Sequence, residues 1–297
     1  MSDDTINIVL TCDDRYAQHA AVTIVSVVKN TKRNVHFYVF DCGILPENLE
    51  RLKQLDVGSN VLEVIQVQKI DVFENYKYRQ CYSPAIMYRL AIPEILPHLD
   101  KALYLDSDVI AVRDIGELWD IDLGEKLLGA YDEHELKHKA CLEYYANNNL
   151  SNDSPYINSG VLLMNLKAMR EWHFFEKCLE DARGCSDVFV DQNIINRICG
   201  ESQVLFLNER FNFSRLAFLK EESFLNFQPV LLHVKAFVYP PLFLRCLPEP
   251  YKLSYRYYVY LAITPWARQN NKCASWRYAL ATVVRFLLKK MFCFIFR

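Results

Sequence analysis

The chain has 297 residues, 52% of them hydrophobic and 24% charged, with only 8 glycines and a formal net charge of −2. That supplies enough apolar side chains for one large packed α/β domain and excludes a disordered chain, a collagen-like repeat or a small disulfide scaffold. The charge is uneven: no Asp or Glu follows Glu249, and residues 250–297 carry nine Lys or Arg, so that segment is +9 against a body of −11.

Ile6–Thr11 is a β-branched run that ends in Cys12-Asp13-Asp14, as expected of a buried first strand of a parallel sheet. Residues 17–30 have helical spacing, Val35–Phe40 reads as a second strand, Leu49–Leu55 as a helix and Val61–Val67 as a third strand. This alternation predicts a Rossmann-like, mostly parallel sheet flanked by helices. The first turn lacks a G-x-G-x-x-G dinucleotide fingerprint.

Ser83–Leu96 is expected to be one helix, followed by a strand Ala102–Leu105 that runs into Asp106-Ser107-Asp108. Leu127–Tyr131 and Gly160–Leu166 read as further strands, separated by a polar loop or small lid over 133–156. Helices are expected over 167–182 and 189–199, and the last strands over Val204–Leu207 and Val230–Val234. Beyond residue 249, Leu280, Val284, Leu287, Met291 and Phe294 share one helical face, and Arg277, Arg285, Lys289, Lys290 and Arg297 spread over the other. Together with Trp276 and Tyr278 this reads as a basic amphipathic helix lying in a membrane interface. The division expected is therefore a domain over 1–249 and a membrane-associating segment over 250–297. Nucleic acid is not an expected partner, because aromatic residues accompany the basic charge.

The ten cysteines form no C-x-x-C pair, and the Met-Ser-Asp-Asp start has no leader pattern, which points to reduced thiols in the cytoplasm.

Chemistry concentrates at Asp106-Ser107-Asp108. Strand alternation is expected to aim Asp106 and Asp108 the same way at a carboxyl end, where open α/β sheets bind ligands. Paired carboxylates there need a cation, and a hard divalent ion with open positions can also take diphosphate oxygens. His233, ending the VLLHV strand, is a candidate third ligand, and an imidazole favours Mn²⁺ over the alternative Mg²⁺. Asp191-Gln192 opens a helix. There Asp191 fits N-terminal capping as well as chemistry, whereas Gln192 has less structural reason for its place. A haloacid-dehalogenase-type phosphatase also carries an Asp-x-Asp after a strand, but near its N-terminus. A donor-binding relative without activity is the non-enzymatic alternative.

Taken together, Leu10–Tyr16, Tyr88-Arg89-Leu90, Leu103–Asp108, Leu118–Gly124, Tyr156–Leu166, Asp191-Gln192 and Arg210–Phe213 resemble glycosyltransferase family 8. The likeness is strongest to the bacterial enzymes that extend lipopolysaccharide or lipooligosaccharide, and it runs from about residue 6 to about 245. The resemblance implies a GT-A fold and retaining transfer of galactose or glucose from a UDP-hexose to a glycolipid core acceptor at the inner face of the cytoplasmic membrane. It implies Mn²⁺ on Asp106, Asp108 and His233, uridine and ribose contacts from Thr11, Asp13 and Arg15, and donor contacts from Arg89, Ser107, Asn158, Ser159 and Asp132. Asp191 and Gln192 would sit beside the reacting sugar, with Gln192 supporting it during same-face attack. The family has Asn where this chain has Arg15. The family's His-x-x-Gly-x-x-Lys-Pro-Trp reads here His233-Val234-Lys235-Ala236-Phe237-Val238-Tyr239-Pro240-Pro241, which leaves Lys235 as the candidate phosphate-binding charge.

Overall fold

The computed structural model describes residues 5–76, 83–136, 139–184, 190–214, 228–233 and 255–267. Its strands are β1 (Ile6–Cys12), β2 (Val35–Asp41), β3 (Val61–Gln66), β4 (Lys101–Leu105), β5 (Val109–Ala111), β6 (Leu128–Tyr131), β7 (Val161–Asn165), β8 (Val204–Leu207), β9 (Phe213–Ser214) and β10 (Leu231–His233). The α-helices are α1 (Ala17–Asn30), α2 (Pro46–Lys53), α3 (Asp71–Glu74), α4 (Ile92–Ile95), α5 (Gly116–Trp119), α6 (Lys139–Asn147), α7 (Leu166–Glu171), α8 (Phe174–Gly184), α9 (Val190–Cys199) and α10 (Arg256–Leu261).

Seven strands form one sheet in the order β3-β2-β1-β4-β7-β6-β8. Neighbours are parallel from β3 to β4 and between β6 and β8, and β7 runs antiparallel to both β4 and β6. Alternating side chains feed two cores. Ile6, Ile8 and Leu10 of β1, Val35, Phe37 and Val39 of β2, and Leu103 and Leu105 of β4 pack on one face. Val9, Tyr38, Phe40, Ala102 and Tyr104 pack on the other. Helices cover both faces, so these strands read as near-continuous apolar runs rather than polar–apolar alternations. Each fully buried Val, Leu, Ile or Phe contributes about 1.5–3 kcal/mol.

Three local expectations change. The run expected to be one helix over 83–96 is a 3₁₀ helix over Pro84–Ala91 followed by the short α4. Pro93 lacks the N–H that a continuous α-helix would send to the Arg89 carbonyl. The helix expected over 167–182 breaks into α7 and α8, and His173 at the break is left-handed with φ of 57°. The 133–156 excursion is more than a loop: it holds α6 and a small aromatic core of Tyr144, Tyr145, Tyr156 and Cys141.

Residues 255–267, within the basic segment expected to be a membrane anchor, pack on the body. Tyr257, Tyr260, Leu261 and Trp266 are buried in the same core as β1 and α1. Tyr257 Oη meets His19 Nδ1 at 2.5 Å, Asn30 donates to Tyr260 Oη at 2.8 Å, and Trp266 donates to Asn48 at 3.2 Å. The amphipathic pattern over 276–297 lies outside the described residues. No helix among the described residues is long and apolar enough to cross a membrane. The five described cysteines, 12, 42, 141, 178 and 199, form no disulfide.

Candidate active site

The site lies where β1 and β4 end and β7 begins. β4 stops at Leu105, and Asp106, Ser107 and Asp108 form a tight turn closed by Val109 N donating to Asp106 O at 3.0 Å. The two carboxylates therefore converge through a turn, not through the alternation of a continuing strand. Ser107 points inward: its Oγ lies 3.4 Å from the Thr11 carbonyl, and its own carbonyl accepts from Thr23 Oγ1 at 2.9 Å.

Sheet register brings in the histidine. β5, which directly follows Asp108, pairs antiparallel with β10, and Val109 stands opposite His233. His233 Nε2 is 3.2 Å from Asp108 Oδ1 and 3.8 Å from Asp106 Oδ2. One ligand atom from each of the three residues lies within 4.8 Å of the others, the one such group among the described residues. The second imidazole nitrogen is tied down as metal-ligating histidines require: Nδ1 lies 3.2 Å from Asn212 Oδ1, an oxygen that only accepts, so Nδ1 is the donor and Nε2 is the nitrogen turned to the carboxylates. Two carboxylates and one imidazole fit a divalent cation.

Gly160 makes room. A Cβ there would lie 2.7 Å from His233 Nδ1 and 2.9 Å from Asp106 Oδ2, inside the contact distance that real side chains keep. The Gly160 carbonyl accepts from Asp106 N at 2.8 Å, so the backbone that leaves the space also fixes the carboxylate-bearing turn.

Arg89 is the electrostatic hub. Its Nη2 reaches Asp106 Oδ1 at 2.7 Å, its Nε reaches Asp191 Oδ2 at 3.1 Å, and its Nη1 donates to the Ser159 carbonyl at 2.8 Å. Burial works against its charge, but Asp106 and Asp191 more than offset that and hold its pKa above the ordinary value. Burial pushes the Asp191 carboxyl up, Arg89 pulls it back, and the Asp106 charge adds to the rise. Tyr104 lies under the guanidinium, 4.5 Å from ring centroid to Cζ, and donates to Asp106 Oδ1 at 2.7 Å. Thr11 is buried behind Tyr104, with 3.3 Å between the hydroxyls.

Asp191 and Gln192 stand at the start of α9, and both are buried. Ser159 Oγ donates to Asp191 Oδ2 at 2.8 Å, and Ser159 N donates to Gln192 Oε1 at 3.1 Å. Asn196 on the same helix bonds both the N–H and the carbonyl of Ile157, which pins the approach to Asn158 and Ser159. Asn158 Oδ1 accepts from Gly160 N at 2.9 Å and from Asn212 Nδ2 at 2.7 Å.

At the rim, Asp13 Oδ1 caps Tyr16 N at 3.2 Å, and the half-exposed Arg15 grips Asp13 Oδ2 at 2.9 and 3.1 Å. The Asp132 carboxylate accepts from Tyr156 N at 2.9 Å and from His134 N at 3.1 Å, and it meets His134 Nδ1 at 2.8 Å, so it ties the 133–156 excursion down. Lys235 and the segment after His233 lie outside the described residues.

The sequence reading did not single out Glu133, and it held Asn212, Tyr104 and Tyr16 only within the segments that carry the family resemblance, with no role assigned to them. The Tyr16 phenol is pushed up to about 12 by burial and by the charges of Asp108, Asp106 and Asp13. Its place three residues after Asp13, within Leu10–Tyr16, was a usable signal. For Glu133 the sequence carries none, because its partners are remote along the chain.

The profile of Glycosyl transferase family 8 matches residues 7–234. The chain belongs to that family. Among curated family relatives, a Haemophilus influenzae protein named "Putative glycosyltransferase" is 32% identical over 216 residues, 71% of this chain and 64% of that protein. The chain thus spans less than two thirds of that relative. The Escherichia coli K12 "Lipopolysaccharide 1,2-glucosyltransferase" is 23% identical over 236 residues, 77% of this chain and 69% of that protein. Among solved structures, the galactosyltransferase LgtC in complex with donor and acceptor sugar analogues superposes with a TM-score of 0.70 at 25% identity, covering 88% of this chain and 96% of that one. The family fold is GT-A, as the sheet order and helical layers already imply. Family membership also sets aside the phosphatase alternative.

Proposed function

We propose that the chain is a retaining hexosyltransferase that moves galactose or glucose from a UDP-hexose to a lipopolysaccharide or lipooligosaccharide core acceptor. The observation that carries this is the convergence of Asp106, Asp108 and His233 at the carboxyl end of the sheet, with the His233 tautomer set by Asn212. The transferred sugar and the acceptor class are taken from the relatives' names, galactosyltransferase and lipopolysaccharide glucosyltransferase, and the UDP-linked donor from the family resemblance.

In the reaction, the bond from the anomeric carbon to the β-phosphate oxygen of UDP breaks. A bond from that carbon to an acceptor hydroxyl oxygen forms on the same face, and the hydroxyl proton goes to the departing phosphate. Asp106, Asp108 and His233 would hold a divalent ion, which would supply Lewis-acid stabilisation of the diphosphate charge. Arg89 holds Asp106 in place by a buried ion pair. Asp191 is a poor nucleophile, because its Oδ2 is engaged by both Arg89 and Ser159, which favours same-face attack over a covalent intermediate. Gln192 presents an amide oxygen on the Ser159 side, where it supports positive charge developing on the sugar. Asp13 and Arg15 face the nucleoside, and Lys235 is the remaining candidate for a diphosphate contact. The basic residues beyond 267 hold the enzyme peripherally on anionic lipid at the cytoplasmic face of the inner membrane.

The test is transfer or hydrolysis of UDP-galactose and UDP-glucose with Mn²⁺ or Mg²⁺. Activity is expected with Mn²⁺, is lost in EDTA, and is lost in Asp106→Asn and Asp108→Asn. Full activity in EDTA overturns the reading. UDP-sugar binding with neither hydrolysis nor transfer would leave the chain a donor-binding relative instead.

A further inference from the structure

We infer that Glu133 is a positioning residue that sets the polarity of the amide network joining Gln192 to the metal-side histidine. This rests on the reading that Asp106, Asp108 and His233 hold the cation and that Gln192 faces the donor sugar.

Glu133 is only 4% exposed, although it sits in a polar excursion next to Asp132. Its Oε1 accepts from Gln192 Nε2 at 3.0 Å, and its Oε2 accepts from Asn158 Nδ2 at 3.0 Å. An ionised carboxylate only accepts, whereas an amide has one accepting and one donating end that can exchange places. Both neighbouring amides must therefore turn their NH₂ groups to Glu133 and their oxygens away from it.

The two consequences reach different parts of the site. On one side the Gln192 oxygen is delivered to Ser159 N at 3.1 Å. On the other, the Asn158 oxygen receives Asn212 Nδ2 at 2.7 Å, which turns the Asn212 oxygen to His233 Nδ1 at 3.2 Å. That last bond keeps the proton on Nδ1 and Nε2 free for the cation. The backbone N–H groups of Ser159 and Gly160 demand the same orientation, so main chain and carboxylate agree at both ends.

Glu133→Gln tests this with almost no change in shape. A glutamine accepts from only one of the two amides and puts its own NH₂ against the other, a donor facing a donor in a buried site. The conflict lowers kcat if it falls on Gln192 and weakens Mn²⁺ binding if it falls on Asn158. The expected effect on the affected quantity is about ten-fold or more, the usual scale for losing a group that orients a metal ligand. Mn²⁺ binding is measured by calorimetry without donor, kcat with saturating donor and metal, and Tm by thermal unfolding. The double variant Glu133→Gln/Gln192→Glu again places one donor opposite one acceptor along the line Ser159 N, residue 192, residue 133 and Asn158. Its Mn²⁺ affinity and Tm are expected to recover above those of the single variant, although its kcat is not, since Gln192 itself has changed. The inference is overturned if Glu133→Gln keeps both kcat and Mn²⁺ affinity within about twofold of the unmodified protein, or if the double variant is no better than the single in Tm and affinity. Asp106→Asn in the same titration separates the two levels. If it binds Mn²⁺ normally, the underlying site reading fails. If it loses Mn²⁺ while Glu133→Gln changes nothing, only the role of Glu133 fails.

Discussion

Gly160 and His233 lie so close that a single added methyl group would collide: a Cβ at Gly160 would be 2.7 Å from His233 Nδ1. Gly160→Ala must therefore push away either the imidazole or Asp106 Oδ2. Mn²⁺ affinity is expected to fall more than about ten-fold, while the fold survives because the clash falls on side-chain ends. Calorimetry with Mn²⁺ together with circular dichroism checks this, and metal binding at the unmodified affinity would show that the three ligands are not the binding group.

Arg89 neutralises Asp106 and Asp191 from within the core. Arg89→Met leaves two carboxylates facing each other without their cation, which is expected to cost about 3–5 kcal/mol before relaxation through the partly exposed Asp106. Arg89→Lys keeps the charge but cannot reach both carboxylates and the Ser159 carbonyl with one nitrogen. Denaturant unfolding should rank the proteins as unmodified, then Lys, then Met.

His19 is buried under Tyr257, and desolvation lowers its pKa to about 4, with Asp108 pulling weakly the other way. The unfolded chain titrates this group near 6.5, so between those values the unfolded state binds the extra proton. Stability should therefore fall as pH drops from about 6.5 to about 4, by on the order of 3 kcal/mol from this group. His19→Gln removes the term, and the difference between the two stability–pH curves isolates it from the carboxylates.

Two truncations separate packing from anchoring. Removing 250–297 strips buried Tyr257, Tyr260, Leu261 and Trp266 from the core, and Trp266 alone is worth about 3–5 kcal/mol on replacement by Ala. That protein should be strongly destabilised. Removing only 276–297 should leave Tm unchanged and abolish sedimentation with anionic liposomes. A short truncation that still sediments would end the anchor proposal.

Much of the frame was legible along the chain. The apolar runs of β1, β2, β4 and β7 announced themselves because both faces of each of these central strands are buried, and Asp106-Ser107-Asp108 stood at a strand end where such sheets bind ligands. The breaks at Pro93 and His173 were less legible, since apolar periodicity continues across them while hydrogen bonding does not. β5 and β9, at three and two residues, are too short to carry any period.

The sequence by itself determined the layered α/β architecture, the family and the identity of the three metal-ligand candidates, because those depend on local pattern and ordered spacing. Only the tertiary structure decided how they meet. The register of β5 against β10 sets His233 beside Asp108, Gly160 leaves the space they need, and Glu133 orients amides contributed from 25 and 59 residues away. It likewise joined residues 255–267 to the core, where composition alone had grouped them with a basic tail. Such relationships carry no one-dimensional signal, since a hydrogen bond or a close approach is a property of two positions that only the folded chain brings together.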